Sequence, residues 1–308
     1  MMTETATPPA AGPTKAGFVA VVGPTNAGKS TLTNRLVGTK VSIVTQKVQT
    51  TRTRVTGIIT RGQNQLVFVD TPGVFKPRRR LDRAMVAAAW AGAADADLVV
   101  MVVDAERGID DAVEAVCQGL KGSGRRILLA LNKIDLVKRE NLLALAQDMN
   151  ARLDFDATFM ISAQGGSGCD DLLGAIEARL PEGPWLFPED QLSDLPERML
   201  AAEVTREKVY LRLHEELPYS IHVETESWKD QKDGSVRIEQ AIYVERDSQK
   251  AIVLGKGGAT VKIIGTMARE ELEQILGRRV HLFIFVKVRA NWADDRERYD
   301  AMGLDWQE

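Results

Sequence analysis

The chain has 308 residues, a formal net charge of -3, 44% hydrophobic and 27% charged residues. That length suggests two domains, and so ordinary a composition excludes a collagen-like, disordered or disulfide-framed chain. No stretch reaches the roughly 20 apolar residues of a membrane span, and the small net charge leaves any nucleic-acid binding to a local basic patch.

Cys117 and Cys169 lie far apart without a C-x-x-C spacing and read as reduced thiols of a cytoplasmic protein. His214, His222 and His281 show no metal-ligand spacing. Residues 1–16 are rich in Thr, Pro and Ala and lack a basic start and an apolar run, so they read as a disordered tail rather than a signal peptide.

In chain order, the apolar run Phe18–Val22 leads into Gly23-Pro24-Thr25-Asn26-Ala27-Gly28-Lys29-Ser30, and a helical run starts at Thr31. The spacing is G-x-x-x-x-G-K-[ST], a P-loop. A strand, a glycine turn and a helix start aim backbone N–H groups at one spot where the helix dipole also favours an anion. Gly23 to Thr31 is therefore read as a nucleoside triphosphate cradle, with Lys29 reaching the β/γ-phosphates and the Ser30 hydroxyl a ligand for Mg²⁺.

Next comes a polar, hydroxyl-rich segment from Lys40 to Arg52, long for a loop without a function. Strands are expected over Arg54–Thr60 and Gln65–Val69, joined by a hairpin turn at Arg61–Asn64 that makes one sheet edge antiparallel. The second strand ends in Asp70-Thr71-Pro72-Gly73, a carboxylate for Mg²⁺ followed by a Gly73 N–H for the γ-phosphate. Leu98–Val103, Ile127–Leu131 and Thr158–Ile161 are short apolar strands, each followed by an amphipathic helix: Asp111–Leu120, Leu142–Leu153 and Leu172–Leu180. The alternation predicts an α/β domain with a mostly parallel sheet covered on both faces, its site at the carboxyl ends of the strands.

Two of those ends select the base. Asn132-Lys133-Ile134-Asp135 places a carboxylate suited to the adjacent N1–H and N2–H donors of guanine, which adenine lacks. A site that would leave Asp135 buried and unpaired can reject the wrong base by ~10⁴–10⁵. Ser162-Ala163 ends the last strand, and the Ala163 N–H is expected at the purine O6.

On these motifs residues 17–180 resemble the translation-factor-like class of P-loop GTPases. The resemblance implies GTP and GDP as ligands. It also implies a switch threonine, Thr51 with Thr50 as the alternative, that ligates Mg²⁺ together with Ser30 and Asp70. The catalytic set it implies is Asn26, Lys29, Thr51, Asp70 and Gly73. Many GTPases orient water with a glutamine just after this glycine, but Val74 stands there, so slow intrinsic turnover is expected. Resemblance to GTPases with an apolar residue at this point offers Asn26 as a helper in binding K⁺; the plainer reading is a P-loop turn residue. The run Lys76-Pro77-Arg78-Arg79-Arg80 reads as a solvated loop, with contact to RNA phosphate as the sharper possibility.

Residues 181–196 carry prolines that forbid a regular helix and read as an interdomain linker pinned by Trp185 and Phe187. Residues 197–308 begin with a helix over 197–217, then strands over 220–225 and 236–244. Gly255-Lys256-Gly257-Gly258 matches the G-x-x-G loop of a KH domain, which clamps about four single-stranded nucleotides. The following helix turns Lys262 and Arg269 outward, and a strand over 280–288 closes the module. Periodicity leaves Lys250–Leu254 as helix or strand; family resemblance favours a helix, giving a smaller α+β, prokaryotic-type (type II) KH domain.

This pairing, with Leu217-Pro218-Tyr219-Ser220 before the first KH strand and Trp292-Ala293-Asp294-Asp295 near the end, resembles the ribosome-associated GTPases that carry a C-terminal KH domain. The resemblance spans about Gly17 to Asp295. It implies a maturation and assembly factor for the small ribosomal subunit, binding the 3′ region of its RNA through Gly255 to Gly258, Lys262 and Arg269. A monomer acting in the cytoplasm is expected, with peripheral contact at the inner face of the membrane and no DNA partner. The rivals are an RNA-binding scaffold with a structural nucleotide, and a GTPase of tRNA modification or of a membrane process whose second domain binds protein.

Overall fold

The computed structural model describes residues 13–306 except 46, 48, 49, 53, 54, 76, 78, 79, 214–216, 291, 293, 294, 297, 298 and 300–303. Two sheets organise it. The first has six strands in the order β2-β3-β1-β4-β5-β6. Its elements are β1 (Lys15–Val22), α1 (Lys29–Val37), β2 (Val55–Arg61), β3 (Asn64–Asp70), α2 (Arg80–Asp95), β4 (Leu98–Asp104), α3 (Asp111–Leu120), β5 (Arg126–Asn132), α4 (Arg139–Asn150), β6 (Ala157–Met160) and α5 (Cys169–Glu177). All neighbours pair in parallel except β2 with β3.

The continuous apolar strands are explained by burial on both faces. On one face Leu32, Leu36, Leu172 and Ile176 from α1 and α5 pack on Val19, Val100 and Leu128. On the other, Ala89 and Ala93 of α2, Val116 of α3 and Met149 of α4 cover Val99, Met101 and Leu129. Helix α2 is absent from the sequence reading; the exposed positions of its alanine-rich run, Ala91 and Ala94, carry no charge, so no polar stripe marks it. Strand β1 starts at Lys15, pairing with Asn64, so the tail expected over 1–16 gives up its last two residues to the sheet. Residues 1–12 lie outside the described part.

The second sheet has the order β7-β8-β9, with β7 antiparallel and β9 parallel to β8. Its elements are α6 (Glu197–Arg212), β7 (His222–Asp230), β8 (Val236–Val244), α7 (Asp247–Leu254), α8 (Ala259–Leu276) and β9 (Val280–Val288). This is the type II KH order. Residues 250–254 are helical, part of α7. Helix α6 stops at Arg212 rather than 217, and Leu217–Ser220 form a short 3₁₀ turn. Val204, Ala268 and Leu272 pack together with Ile238 and Val280, so α6 and α8 cover one face of this sheet.

The linker lies along the first sheet. Ile58 N–H donates to Leu192 O at 2.8 Å and Ser193 Oγ to Thr56 O at 2.7 Å, which covers part of the β2 edge. Upstream, the fully buried Gln65 holds the chain: its Oε1 accepts from Leu186 N–H at 2.7 Å and Phe187 N–H at 3.0 Å, and its Nε2 donates to Phe187 O at 2.8 Å. Trp185 Nε1 donates to Gln63 O at 3.2 Å.

Both domains also meet directly. The segment after α1 runs across α6: Lys40 pairs with Glu207 at 2.7 Å, Glu207 accepts from Val44 N–H at 2.8 Å, and Lys47 donates to Leu213 O at 2.5 Å. At the far end of the chain, Trp292, Tyr299 and Leu304 pack with Leu81, Ala84 and Met85 of α2.

Replacing Gln65 with Leu removes the side-chain partners of three linker backbone groups while keeping the volume. A loss of about 1–2 kcal/mol is expected, read as a lower urea midpoint at unchanged slope, with faster limited proteolysis near Phe187.

Candidate nucleotide site and glycine clamp

The carboxyl ends of β1, β3, β5 and β6 bring the polar signatures to one edge of the first sheet. Between β1 and α1 the P-loop turns on two glycines. A Cβ at Gly23 would lie 2.3 Å from Val102 O, and one at Gly28 2.2 Å from Asn132 Nδ2, with φ at 151° and 96°. Only glycine allows both the close approach and that backbone. Asn26 is also left-handed (φ 63°), a conformation asparagine tolerates, which accounts for the residue as a turn former.

Lys29 opens α1 and is buried. Its Nζ donates to Pro24 O at 2.8 Å and Gly23 O at 3.1 Å, so the ammonium is folded back into its own loop. Burial brings its pKa down to about 8, against the pull of Asp70. Thr25 and Ala27 complete the turn; Ser30 and Thr31 follow in the first turn of α1.

Ser30, Thr51 and Asp70 converge. Ser30 Oγ donates to Asp70 Oδ2 at 2.7 Å, Thr51 Oγ1 lies 2.9 Å from Ser30 Oγ, and Thr51 Oγ1 donates to Asp70 Oδ2 at 3.4 Å. Asp70 Oδ1 is buried without a hydrogen-bond partner, and burial raises the carboxyl's pKa. Two hydroxyls and a carboxylate with one orphaned oxygen form an all-oxygen set, the donors Mg²⁺ prefers. The residues fit that ion. Thr50 instead bonds Thr45 Oγ1 at 2.7 Å and Lys47 O at 2.8 Å, so the geometry separates the two threonines in favour of Thr51.

Thr71 Oγ1 donates to Val21 O at 2.8 Å, pinning the start of Asp70-Thr71-Pro72-Gly73 to β1. A Cβ on Gly73 would lie 2.9 Å from Thr25 Cα, so this glycine presses on the P-loop. Val74 N–H donates to Gly23 O at 3.1 Å and its side chain is buried in the core, away from any water it could orient. Of the basic run, Lys76, Arg78 and Arg79 lie outside the described residues; Arg80 opens α2 with its guanidinium 4.5 Å from the Trp306 ring centre.

At the base end, buried Asn132 ties three elements together. Its Nδ2 donates to Ala27 O at 2.8 Å and its Oδ1 accepts from Ala163 N–H at 2.9 Å. That second bond corrects the expectation that the Ala163 amide stands open to a purine. Ser162 Oγ accepts from Gly165 N–H at 3.0 Å, closing the loop after β6. Lys133 is left-handed (φ 65°) and pairs with Asp104 Oδ2 at 2.5 Å, while Asp135 is exposed beyond it. Sequence reasoning misses Asp104. It also misses Arg35, whose Nε donates to Ala163 O at 3.1 Å and whose Nη2 reaches Gln164 O. Neither belongs to a local motif.

In the second domain, Gly255, Lys256, Gly257 and Gly258 join α7 to α8. Gly255, Gly257 and Gly258 have φ of 70°, 60° and 79°, and a Cβ on Gly255 would lie 2.2 Å from Thr260 Oγ1. Lys256 and Lys262 are exposed, and Ile252, Ile263 and Met267 beside them are exposed apolar residues. This is a glycine turn flanked by charge and an aliphatic strip, with no aromatic platform among the described residues beside it. Arg269 lies about 15 Å along α8 from its start at Ala259 and is paired with Glu273 at 3.1 Å, so it is tied to its own helix.

Comparison with known proteins gives the same division. Residues 18–133 match the family "50S ribosome-binding GTPase" and residues 216–293 the KH domain family. GTPase Era of Agrobacterium fabrum is 63% identical over 294 residues, 96% of this chain and 93% of its own. GTPase Era of Rhizobium meliloti is 62% identical over 308 residues, 99% and 98% of the two chains. Among solved structures, a point variant of Aquifex aeolicus Era bound to GDP·AlF4- superposes with a TM-score of 0.89 at 39% identity, covering 94% of this chain and 99% of that one. Era in complex with MgGDPNP and nucleotides 1506-1542 of 16S ribosomal RNA gives the same TM-score, identity and coverage.

The position of Lys29 makes nucleotide binding a proton-linked event. Near pH 8 its ammonium is about half ionised in the free protein, and an arriving triphosphate restores the charge. Calorimetry in buffers of differing ionisation enthalpy should find uptake of roughly half a proton per nucleotide at pH 8, little at pH 6.5, and none in Lys29→Arg.

Proposed function

We propose, for a chain that belongs to the Era GTPase family, that it hydrolyses GTP to GDP and phosphate as a two-state switch and binds the 3′ region of small-subunit ribosomal RNA through its KH domain. The chain is a GTPase. The observation that carries the RNA half is its similarity, across both domains, to an Era structure holding MgGDPNP and nucleotides 1506-1542 of 16S ribosomal RNA. That RNA belongs to the small subunit, which favours it over the large subunit named in the wider family's description.

In this reading Lys29 swings from its loop carbonyls to the β/γ-phosphate oxygens, and the amides from Asn26 to Thr31 hold the remaining phosphate charge. Ser30, Thr51 and Asp70 hold Mg²⁺, which when bound neutralises charge developing on the phosphates. Gly73 N–H meets the γ-phosphate. Asp135 accepts from guanine N1–H and N2–H, and Asn132 holds the P-loop and the Ser162-Ala163 loop in register beside the base. With Val74 buried, no side chain directly after Gly73 orients water, so turnover without a partner is slow. We assign to Asn26 a share in binding K⁺, which would supply positive charge near the phosphates.

Gly255 to Gly258 close on the RNA backbone, with Lys256 and Lys262 on phosphates and the strip at Ile252, Ile263 and Met267 against bases. Action as a monomer in small-subunit assembly, in the cytoplasm and with peripheral contact at the inner face of the membrane, belongs to the same proposal.

The test is multiple-turnover phosphate release joined to RNA binding. GTP and not ATP should be consumed, and Lys29→Ala should abolish release. A 16S 3′ oligonucleotide should bind at least about tenfold tighter with a non-hydrolysable GTP analogue than with GDP, and Gly257→Asp should abolish that binding while leaving GTP binding intact. Equal RNA affinity in both nucleotide states would exclude the switch. Potassium should raise the hydrolysis rate over sodium at equal ionic strength, and Asn26→Ala should remove the difference.

A further inference from the structure

Arg52 follows the switch threonine directly, is 3% exposed, and takes no part in the chemistry described above. Its Nη1 donates to Ile221 O at 2.7 Å; its Nη2 donates to Tyr210 Oη at 2.9 Å, Tyr219 O at 3.1 Å and Pro218 O at 3.4 Å. The guanidinium carbon lies 5.7 Å from the Trp292 ring centre and 5.9 Å from that of Tyr210. All of these partners belong to the second domain.

The hydrogen-bonding partners are neutral. Withdrawing a guanidinium from water is costly, and here the cost is offset by the carbonyls of Ile221, Pro218 and Tyr219, which an apolar side chain of similar volume would leave without this donor. Charge alone does not call for arginine, since a lysine would carry it too. What the guanidinium supplies is direction, because its N–H groups point along fixed lines in one plane and can be satisfied in only one pose.

That pose fixes the neighbouring residue. Thr51 is bracketed: on one side Arg52 is seated in the socket, and on the other Arg206 Nη2 donates to Thr50 O at 2.5 Å while Glu203 holds Arg206 Nε at 2.8 Å. Between these anchors the Thr51 hydroxyl reaches Ser30 and Asp70. We propose that Arg52 is a positioning residue for GTP hydrolysis, seated in the KH domain so as to hold Thr51 where the Mg²⁺ of the triphosphate complex needs it. The inference rests on the reading of Thr51 as a Mg²⁺ ligand.

Switch segments are ordered by contacts of the γ-phosphate and its Mg²⁺ and are released with GDP. Loss of the anchor should therefore be felt with a triphosphate and not with a diphosphate. A residue that merely held the domains together would affect both nucleotides alike.

The test uses the full chain and the substitutions Arg52→Met, Arg52→Lys and Thr51→Ala. The Mg²⁺ concentration for half-maximal retention of a fluorescently labelled, non-hydrolysable GTP analogue is measured beside that for labelled GDP, and kcat and KM are taken from phosphate release. Arg52→Met should raise the Mg²⁺ requirement for the analogue on the order of tenfold, as Thr51→Ala should, with the GDP value unchanged. Its kcat should fall by a similar factor with KM nearly constant. Arg52→Lys keeps the charge without the planar fork and should fall between; it carries the test if Arg52→Met does not fold. An unshifted analogue titration in the Arg52 variants, beside a shifted one in Thr51→Ala, overturns this inference alone. Equal shifts for analogue and GDP also overturn it. An unshifted Thr51→Ala protein removes the reading of Thr51, and this inference with it.

Discussion

The structure depends on two neighbouring residues being held by different domains. Thr51 turns its hydroxyl to Ser30 and Asp70 in the first domain, while Arg52 sends its guanidinium among Tyr210, Pro218, Tyr219 and Ile221 of the second. Neither can move far without the other, since only one peptide unit separates them and the backbone between Cα atoms is rigid. Around this point the segment from Lys40 is bound to α6 by charged groups. Lys40 and Lys208 share Glu207 and Glu271, a partly buried cluster whose members neutralise each other at the seam. Removing one member would leave an uncompensated charge, so the cluster specifies the docked arrangement more than it adds net stability.

The second switch region is held as well. Asp70-Thr71-Pro72-Gly73 leads toward α2, and the first turns of α2 pack against residues that follow the KH domain's last strand: Trp292, Tyr299 and Leu304. Trp292 belongs to both attachments. It donates from Nε1 to Ser220 O at 2.9 Å, stacks on His222 with ring centres 5.4 Å apart, and lies against Arg52. The chain thus crosses from the nucleotide domain into the KH domain through the linker and returns to touch the helix beyond the second switch. The segment from Lys40 to Arg52 lies against α6, and α2 beyond Gly73 packs on residues that follow β9, so a change in either is a change in the packing between domains.

What is legible in the sequence is local. The P-loop, the alternation of buried strands with amphipathic helices and the glycine turn at Gly255 are each written in contiguous residues, and each is found where its pattern lies. Helix α2 escapes such a reading because its solvent face carries alanines, Ala91 and Ala94, in place of the polar stripe that betrays a surface helix. The linker prolines rule out a helix but cannot announce that Leu192 and Ser193 pair with β2. The contacts of Arg52, Arg206 and Glu207 are invisible for a plainer reason: Arg52 meets Ile221 across 169 residues of sequence, and no periodicity reports such a pairing. Arg35 and Asp104 escape in the same way. A motif alone assigns the Ala163 amide to the base, and only coordinates reveal its bond to Asn132.

One element connects the two ends of the molecule mechanically. Helix α8 begins at Ala259, directly after the glycine turn, and carries Glu271 into the ion cluster that holds Lys40. From Ala259 to Glu271 is about 18 Å of continuous helix, at 1.5 Å per residue. An α-helix does not stretch, so a shift imposed on its first turn arrives at Glu271 with little loss. Its buried face, Ile264, Ala268 and Leu272, is packed on the sheet and on α6, which limits the motion to sliding or tilting. Lys40 stands at the start of the segment that ends at Thr51 and Arg52. The ion cluster and the Arg52 socket therefore grip the two ends of one stretch of chain, and a displacement of α8 at the glycine turn would reach that stretch through the ion cluster.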